Sequence, residues 1–403
     1  MRRAGAWSPS DVLRGELVGD VEVGGRVRRS GDRAALVDAF GSLDLDALGP
    51  QVRDGDLVVV WGRVEARSLR SVRVIDHRPT TRHEGASDVA RLLERGVGAA
   101  LEARARAAAA LRALFASWRF LEVETPSLVP CPGLDTHLDA FEAFPTAALP
   151  RFLITSPEYQ MKRLLVGGIP RCFQLARSFR RGELGSRHNP EFTMLEWYRA
   201  FSGMNDVLED TEAIVLAVNA EIGGPQSLLS TLDLERPFPR LSVAEAFERF
   251  AGVAATETLR LADEDSEQFY RLLIERVEPG LATLGAPVFL ERYPASMASL
   301  ARTCADDPRF AERFELYACG VELCNGFGEL THGGEQRARF ERDRAERTAR
   351  GLPVYPIDER FLTALEEGMP PSGGNALGFD RLVMLALGAP SLDAVMAFPE
   401  REL

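Results

Sequence analysis

Residues 171–198 carry the densest set of side chains suited to chemistry in this sequence. Residues 171–179 read as a strand running into Arg180, and 181–190 as a polar loop containing Gly182 and Gly185. Residues 191–198 read as a second strand, with Phe192, Met194 and Glu196 on one face and Thr193, Leu195 and Trp197 on the other. A hairpin of this kind aims guanidinium groups at an oxyanion, which they match bidentately without losing charge. The chemistry implied is the handling of a nucleoside triphosphate.

Three other segments bear on that reading. Ser156-Pro157-Glu158 has the form of a helix start: serine as cap, proline at the first helical position and an acid in the first turn. The helix should stop at Gly167-Gly168, and capping competes with substrate contact as the role of these residues. Glu322 and Glu329 stand seven apart, with Gly326 and Gly328 between them arguing against a helix. On a regular strand an odd separation puts the two acids on opposite faces. They can meet one magnesium ion only if the strand bends, which the glycines permit. Residues 373–381 read as a glycine-rich strand entering an apolar helix over 382–387 that closes at Gly388. Its glycines would let a flat ligand approach the backbone, and Arg381 would sit at a helix N-terminus that favours an anion. A tight strand–helix turn with a surface arginine is the competing reading.

The elements that must position these groups follow from pattern. Short strands over 17–23, 34–38, 56–64 and 71–75 predict a small all-β barrel of the oligonucleotide-binding type in residues 1–80. Trp7, Phe40 and Trp61 are its only aromatics, so platforms for base stacking are few, and packing or partner contact competes as its role. Residues 76–85 read as a linker. Ser87 or Asp88 then caps a long helix with an apolar stripe of Leu101, Ala105, Ala108, Leu111, Phe115 and Trp118, followed by a strand over 120–125 stopped by Pro126. Residues 205–290 are helical in pattern and read as scaffold.

Composition narrows the function classes. A chain of 403 residues has room for two or three domains, and its formal charge of −12 disfavours non-specific nucleic-acid binding. Lys162 is the only lysine, a bias that reads as genome composition. The five cysteines include no C-x-x-C pair and read as reduced thiols. The sequence contains no apolar run of the roughly 18 residues needed for a membrane span, and no apolar signal segment follows Met1. Cytoplasm is the expected compartment, without a membrane partner.

In order and in combination, these segments resemble the class II aminoacyl-tRNA synthetases, lysine branch. Residues 156–165, 188–198, 294–296 and 376–389 are most similar to the elongation factor P–(R)-β-lysine ligases, synthetase paralogues that modify a protein lysine. The resemblance covers about residues 90–400. It implies an α+β catalytic domain over 81–403, an antiparallel sheet flanked by helices, dimerising through the long helix and the strand before Pro126. It also implies an AMP-forming ligase that uses ATP and Mg2+, takes lysine or β-lysine, and modifies elongation factor P.

Residue by residue, the resemblance implies that Arg180 binds the α-phosphate and the substrate carboxylate, and Arg381 the γ-phosphate. Gly182, Glu183, Asn189, Glu322, Leu323 and Gly378 would line the ATP site. Ser156, Glu158, Tyr198, Glu329 and Ala376 would surround the amino acid, and Glu322 and Glu329 would hold magnesium. Two departures stand out. Gly182 occupies the place of the usual acid, with Glu183 one residue later, and a short barrel-like segment precedes the catalytic region. Ala376 favours the protein-modifying ligases, because the tRNA-charging enzymes resemble this segment with glycine there. A lysyl-tRNA synthetase with a reduced anticodon domain and an inactive synthetase-like module are the alternatives.

Overall fold

The computed structural model describes residues 5–15, 17–80, 87–143 and 150–403. The chain forms two compact units, Met1–Ala103 and Arg104–Leu403. The expected linker residues 81–85 and the extreme N-terminus lie outside the described residues.

The first unit holds a closed five-stranded barrel. Its strands are β1 (Gly19–Ser30), β2 (Arg33–Val37), β3 (Ser42–Leu45), β4 (Leu57–Glu65) and β5 (Ser68–Arg78), in the order β1-β2-β3-β5-β4. Val23, Val27, Leu36, Leu43, Val58, Val60 and Leu69 fill it. Two expectations change here. Gly24-Gly25 does not end the first strand: a Cβ on Gly25 would press on Leu36 at 3.2 Å, so the glycine serves close packing inside a longer strand. Residues 76–78, expected in the linker, continue β5.

In the second unit an eight-stranded sheet has the order β12-β13-β14-β15-β16-β11-β10-β6. In chain order these are β6 (Leu121–Glu122), β10 (Arg171–Phe179), β11 (Glu191–Ala200), β12 (Arg240–Ser242), β13 (Val288–Pro294), β14 (Phe310–Ala318), β15 (Val321–Gly328) and β16 (Ser372–Gly378). Short strands β7 (Leu128–Val129), β8 (Glu142–Ala143) and β9 (Arg151–Leu153) form a separate three-stranded sheet. The large sheet is antiparallel except for the parallel edge pairs β10–β6 and β12–β13. It is flanked by helices, as expected of an α+β fold.

The pleat separates the two faces. On one face Phe173 and Trp197 pair across β10 and β11, and Phe115 stacks on Phe173 with ring centroids 4.3 Å apart and a 6° interplanar angle. The other face carries a cross-strand row of Glu196, Ala376, Asn325 and Glu315, one residue from each of β11, β16, β15 and β14. Directly opposed residues share a face, so this row is the floor on which polar groups collect.

The long helix expected from Ser87 is interrupted. A turn capped by the Ser87 hydroxyl precedes Gly96, whose φ is +80°, and the regular helix is Val97–Ser117. Within the stripe Ala105 is exposed, and the buried residues include Ala107, Leu111 and Phe115 at helical spacing. Residues 205–290 are mainly helical as expected, with β12 and the start of β13 breaking the pattern. Phe115 is fully buried between Phe173 and Trp197. Replacing it with alanine is expected to cost about 3–5 kcal/mol, read as a lower denaturant midpoint at unchanged m-value.

Candidate functional site

The polar floor of the sheet opens into one cavity of about 710 Å³. Arg180, Glu183, Asn189, Glu322, Leu323, Gly378 and Arg381 all line it, as do Ser156, Glu158 and Ala376. Residues separated by up to 225 positions are thus brought together. Gly182, Tyr198 and Glu329 are not among the lining residues; Tyr198 and Glu329 are buried immediately behind.

One end is cationic. The Arg180 guanidinium lies 5.1 Å from the Phe192 ring centroid, and its Nη1 is 3.7 Å from Glu183 Oε1. Gly182 has φ +86°, a left-handed conformation that favours glycine, and Glu183 is the acid this turn leaves at the cavity. Arg381 stands in the first turn of the helix Phe379–Leu387. It donates from Nη2 to His188 Nε2 at 2.7 Å, from Nη1 to the Glu322 carbonyl at 2.9 Å and from Nε to the Arg187 carbonyl at 3.1 Å. Burial and the neighbouring Arg381 lower the His188 pKa, keeping its ring neutral and able to accept. The helix start is itself anchored: Asp380 is buried, ion-paired with Arg104, and accepts from the Thr193 N–H at 2.7 Å.

Asn189 bridges two loops, donating to the Glu191 carbonyl at 2.6 Å and accepting from the Glu400 N–H at 2.9 Å. Arg347 is fully buried and donates to the carbonyls of the cavity-lining residues Asp135 and Leu138, tying down their loop.

The other end gathers acids around one ammonium. Lys162 is fully buried, with Nζ 2.6 Å from Glu158 Oε1 and 2.5 Å from Glu329 Oε2. Burial opposes its ammonium, but the two carboxylates outweigh that penalty and hold its pKa above the ordinary lysine value. Glu196, also fully buried, accepts from Tyr198 Oη at 2.5 Å and Ser156 Oγ at 2.7 Å. Burial, reinforced by Glu158, pushes its pKa up to about 8. Burial likewise pushes Glu329 to about 7, with Lys162 pulling the other way. Pro157 rather than Ser156 occupies the N-cap position, but the Ser156 hydroxyl serves both expected roles: it accepts from the Glu158 N–H at 3.2 Å at the helix start and donates to Glu196 at 2.7 Å.

A bulge settles the placement of Glu322. Glu315 and Tyr317, two apart on β14, pair with Asn325 and Glu322, three apart on β15. The extra residue reverses the alternation and turns Glu322 to the same face as Asn325. Bending at Gly326 and Gly328 is not what achieves this. A Cβ on those glycines would meet Phe314 at 2.4 Å and Glu312 at 2.1 Å, so they serve packing. Gly374 serves the acidic end in the same way, since a Cβ there would lie 2.3 Å from the Tyr198 ring and 2.4 Å from Glu329 Oε1. The two acids keep different company. The Glu322 side chain is 41% exposed beside Arg381, and Glu329 is committed to Lys162. Among the described residues no group of three or more His, Cys, Asp or Glu side chains gathers as a metal shell.

Sequence reasoning missed Lys162, Glu196 and His188. The first was detectable as the only lysine of the chain, four residues after Glu158 on a helix. The second was detectable as an acid amid apolar strand residues. Residues Ala262 to Tyr270, read as scaffold, include lining residues such as Asp263 and Tyr270. All five cysteines are free, and no helix among the described residues is long and apolar enough to cross a membrane.

The family model for class II tRNA synthetases (D, K and N) matches residues 86–402. This chain belongs to that family. Among its relatives, the elongation factor P–(R)-β-lysine ligase of Proteus mirabilis is 43% identical over 307 residues, covering 73% of this chain and 93% of that protein. Those of Yersinia enterocolitica and Photorhabdus laumondii are 44% and 45% identical over 309 and 306 residues, with the same coverage. The chain is thus a class II synthetase-family ligase whose match begins after the barrel.

The raised Glu196 and Glu329 bind protons in the folded protein that the unfolded chain releases near pH 4.5. Their contribution to stability is therefore full below about pH 4.5 and lost as pH rises through about 7 to 8. The ligand-free protein should show a falling thermal midpoint across that window. Glu196→Gln should flatten the fall, as read by melting curves at stepped pH.

Proposed function

We propose that this chain activates lysine or (R)-β-lysine with ATP and transfers the acyl group to a lysine side chain of elongation factor P, releasing pyrophosphate and AMP. The observation that carries this reading is a single cavity with guanidiniums at one end and a cluster of acidic side chains at the other. Guanidiniums suit a triphosphate at one end, and buried carboxylates suit the ammonium groups of a diamino acid at the other. The names of the relatives, which match over nearly their whole length, supply the acceptor.

In this reading Arg180, braced on Phe192, holds the α-phosphate and the amino-acid carboxylate, and Arg381 holds the γ-phosphate. The carboxylate attacks the α-phosphorus in line, forming an acyl–phosphate bond and expelling pyrophosphate. Positioning and charge neutralisation do most of this work. The neutral amine of the acceptor lysine then attacks the carbonyl, forming an amide and expelling AMP. Ser156, Glu158 and Ala376 bound the amino acid, with Tyr198 and Glu329 directly behind them; Glu183, Asn189, Leu323 and Gly378 bound the nucleotide. Magnesium arriving with the phosphates would neutralise their charge. Glu322 is the carboxylate open to it, and Glu329 joins only by parting from Lys162.

Residues 81–403 form the catalytic domain in this proposal, and residues 1–80 an OB-type barrel of separate purpose. Exposed Leu121 and Leu128, near the sheet edge, fit a homodimer interface. The setting is cytosolic.

Protein, ATP and labelled (R)-β-lysine or lysine, offered elongation factor P or tRNA, test the acceptor. Label is expected on elongation factor P, and label on tRNA alone overturns the assignment. Arg381→Ala should lower amino-acid-dependent pyrophosphate exchange by about 10²–10³-fold while leaving the melting temperature within a few degrees.

A further inference from the structure

Lys162 is a group that the proposed chemistry leaves unused. It touches neither phosphate nor reacting carbonyl in the scheme above, and nothing about the activation step requires an ammonium at its depth. Yet it is the only lysine among 48 basic residues, and it is wholly buried. Its Nζ is shared between two carboxylates that reach it from different elements. Glu158 comes from the preceding turn of its own helix, Glu158–Val166, and Glu329 from just beyond β15. Tyr198 and Phe327 each place a ring centroid 6.0 Å from Nζ, within reach of a cation–π contact.

We infer that Lys162 is a positioning residue for the amino-acid subsite: its ammonium, anchored from behind by the enclosed Glu329, fixes the Glu158 carboxylate at the cavity wall for the incoming ammonium groups. The inference rests on the reading of this end of the cavity as the amino-acid site.

Electrostatics gives the reason. Glu158, Glu196 and Glu329 crowd one small volume where burial and mutual repulsion favour the protonated carboxyls, and Lys162 pulls Glu196 and Glu329 the other way. Protonated or displaced carboxyls attract an ammonium poorly. Lys162 supplies the counter-charge from below, where it is enclosed by the Tyr198 and Phe327 rings. The Glu158 side chain remains 15% exposed at the cavity wall. Arginine is the cation this chain uses everywhere else, but its planar fork is larger and directs its donors differently from a compact ammonium. The single retained lysine is therefore matched to the position by size as well as by charge.

The single lysine also makes the test direct. With 13C-lysine incorporated biosynthetically, the intact protein gives one lysine ε-methylene NMR signal. That signal should keep the chemical shift of a charged amine to about pH 10 or above. It should move on addition of L-lysine or (R)-β-lysine without ATP, and stay in place on addition of ATP alone. In parallel, Lys162→Met and Lys162→Gln should raise the KM for the amino acid by about tenfold or more, a loss of about 1.4 kcal/mol or more. The KM for ATP should stay within about twofold, and the acid limb of kcat/KM should move to higher pH as the carboxylates lose their cation. A merely structural lysine would lower thermal stability and leave the acid limb and the ratio of the two KM values where they were. If the wild-type protein activates a lysine isomer but the NMR signal ignores saturating amino acid, the positioning role is overturned by itself. If no lysine isomer supports exchange in the wild type, the amino-acid site reading falls, and this inference with it.

Discussion

An ammonium wedged among buried carboxylates is the constraint around which the catalytic unit is arranged. Removing such groups from water is costly, and the loss is offset only where partners lie within hydrogen-bond distance. Here the partners come from three places: the helix carrying Glu158 and Lys162, the end of β15 carrying Glu329, and β11 carrying Glu196. A register slip of one residue in either strand would send its acid to the apolar layer around Phe115 and Trp197. The neighbouring strand β16 must in turn be thin, and Gly374 and Ala376 lie opposite Tyr198 and Glu196 for that reason.

The same sheet face carries the opposite charge a short way along. Arg381 enters from the helix that follows β16, and Arg180 from the end of β10, so the hairpin and the glycine strand deliver cations while the sheet centre holds acids. Keeping these sets apart preserves each for its own ligand charge. The bulge in β15 is the device that brings Glu322 onto this face beside Arg381, and an unbroken strand would have turned it to the helix layer.

Much of this was legible beforehand. The hairpin, its alternation, the Arg381 helix start and the glycine stop at Gly388 follow from local pattern, and local pattern is what formed. The shared cavity was legible only through several motifs in order, because no single one fixes a distance across 200 residues. The bulge was not legible, since the count of residues between Glu322 and Asn325 carries no mark of how β14 pairs with them. The Ser156 bond to the helix start follows from local pattern, but its second partner, Glu196, lies forty positions away and carries no local mark. The first strand runs past 23 because Gly25, which by pattern looks like a stop, lets Leu36 approach instead.

The arginine-only exterior has a chemical consequence. In the reaction proposed above, an activated acyl–phosphate is held within reach of the protein's own side chains. Guanidinium groups stay protonated and are poor nucleophiles at neutral pH. The one side-chain amine here is enclosed and kept charged by Glu158 and Glu329. The protein thus offers its reactive intermediate no lysine of its own to consume it.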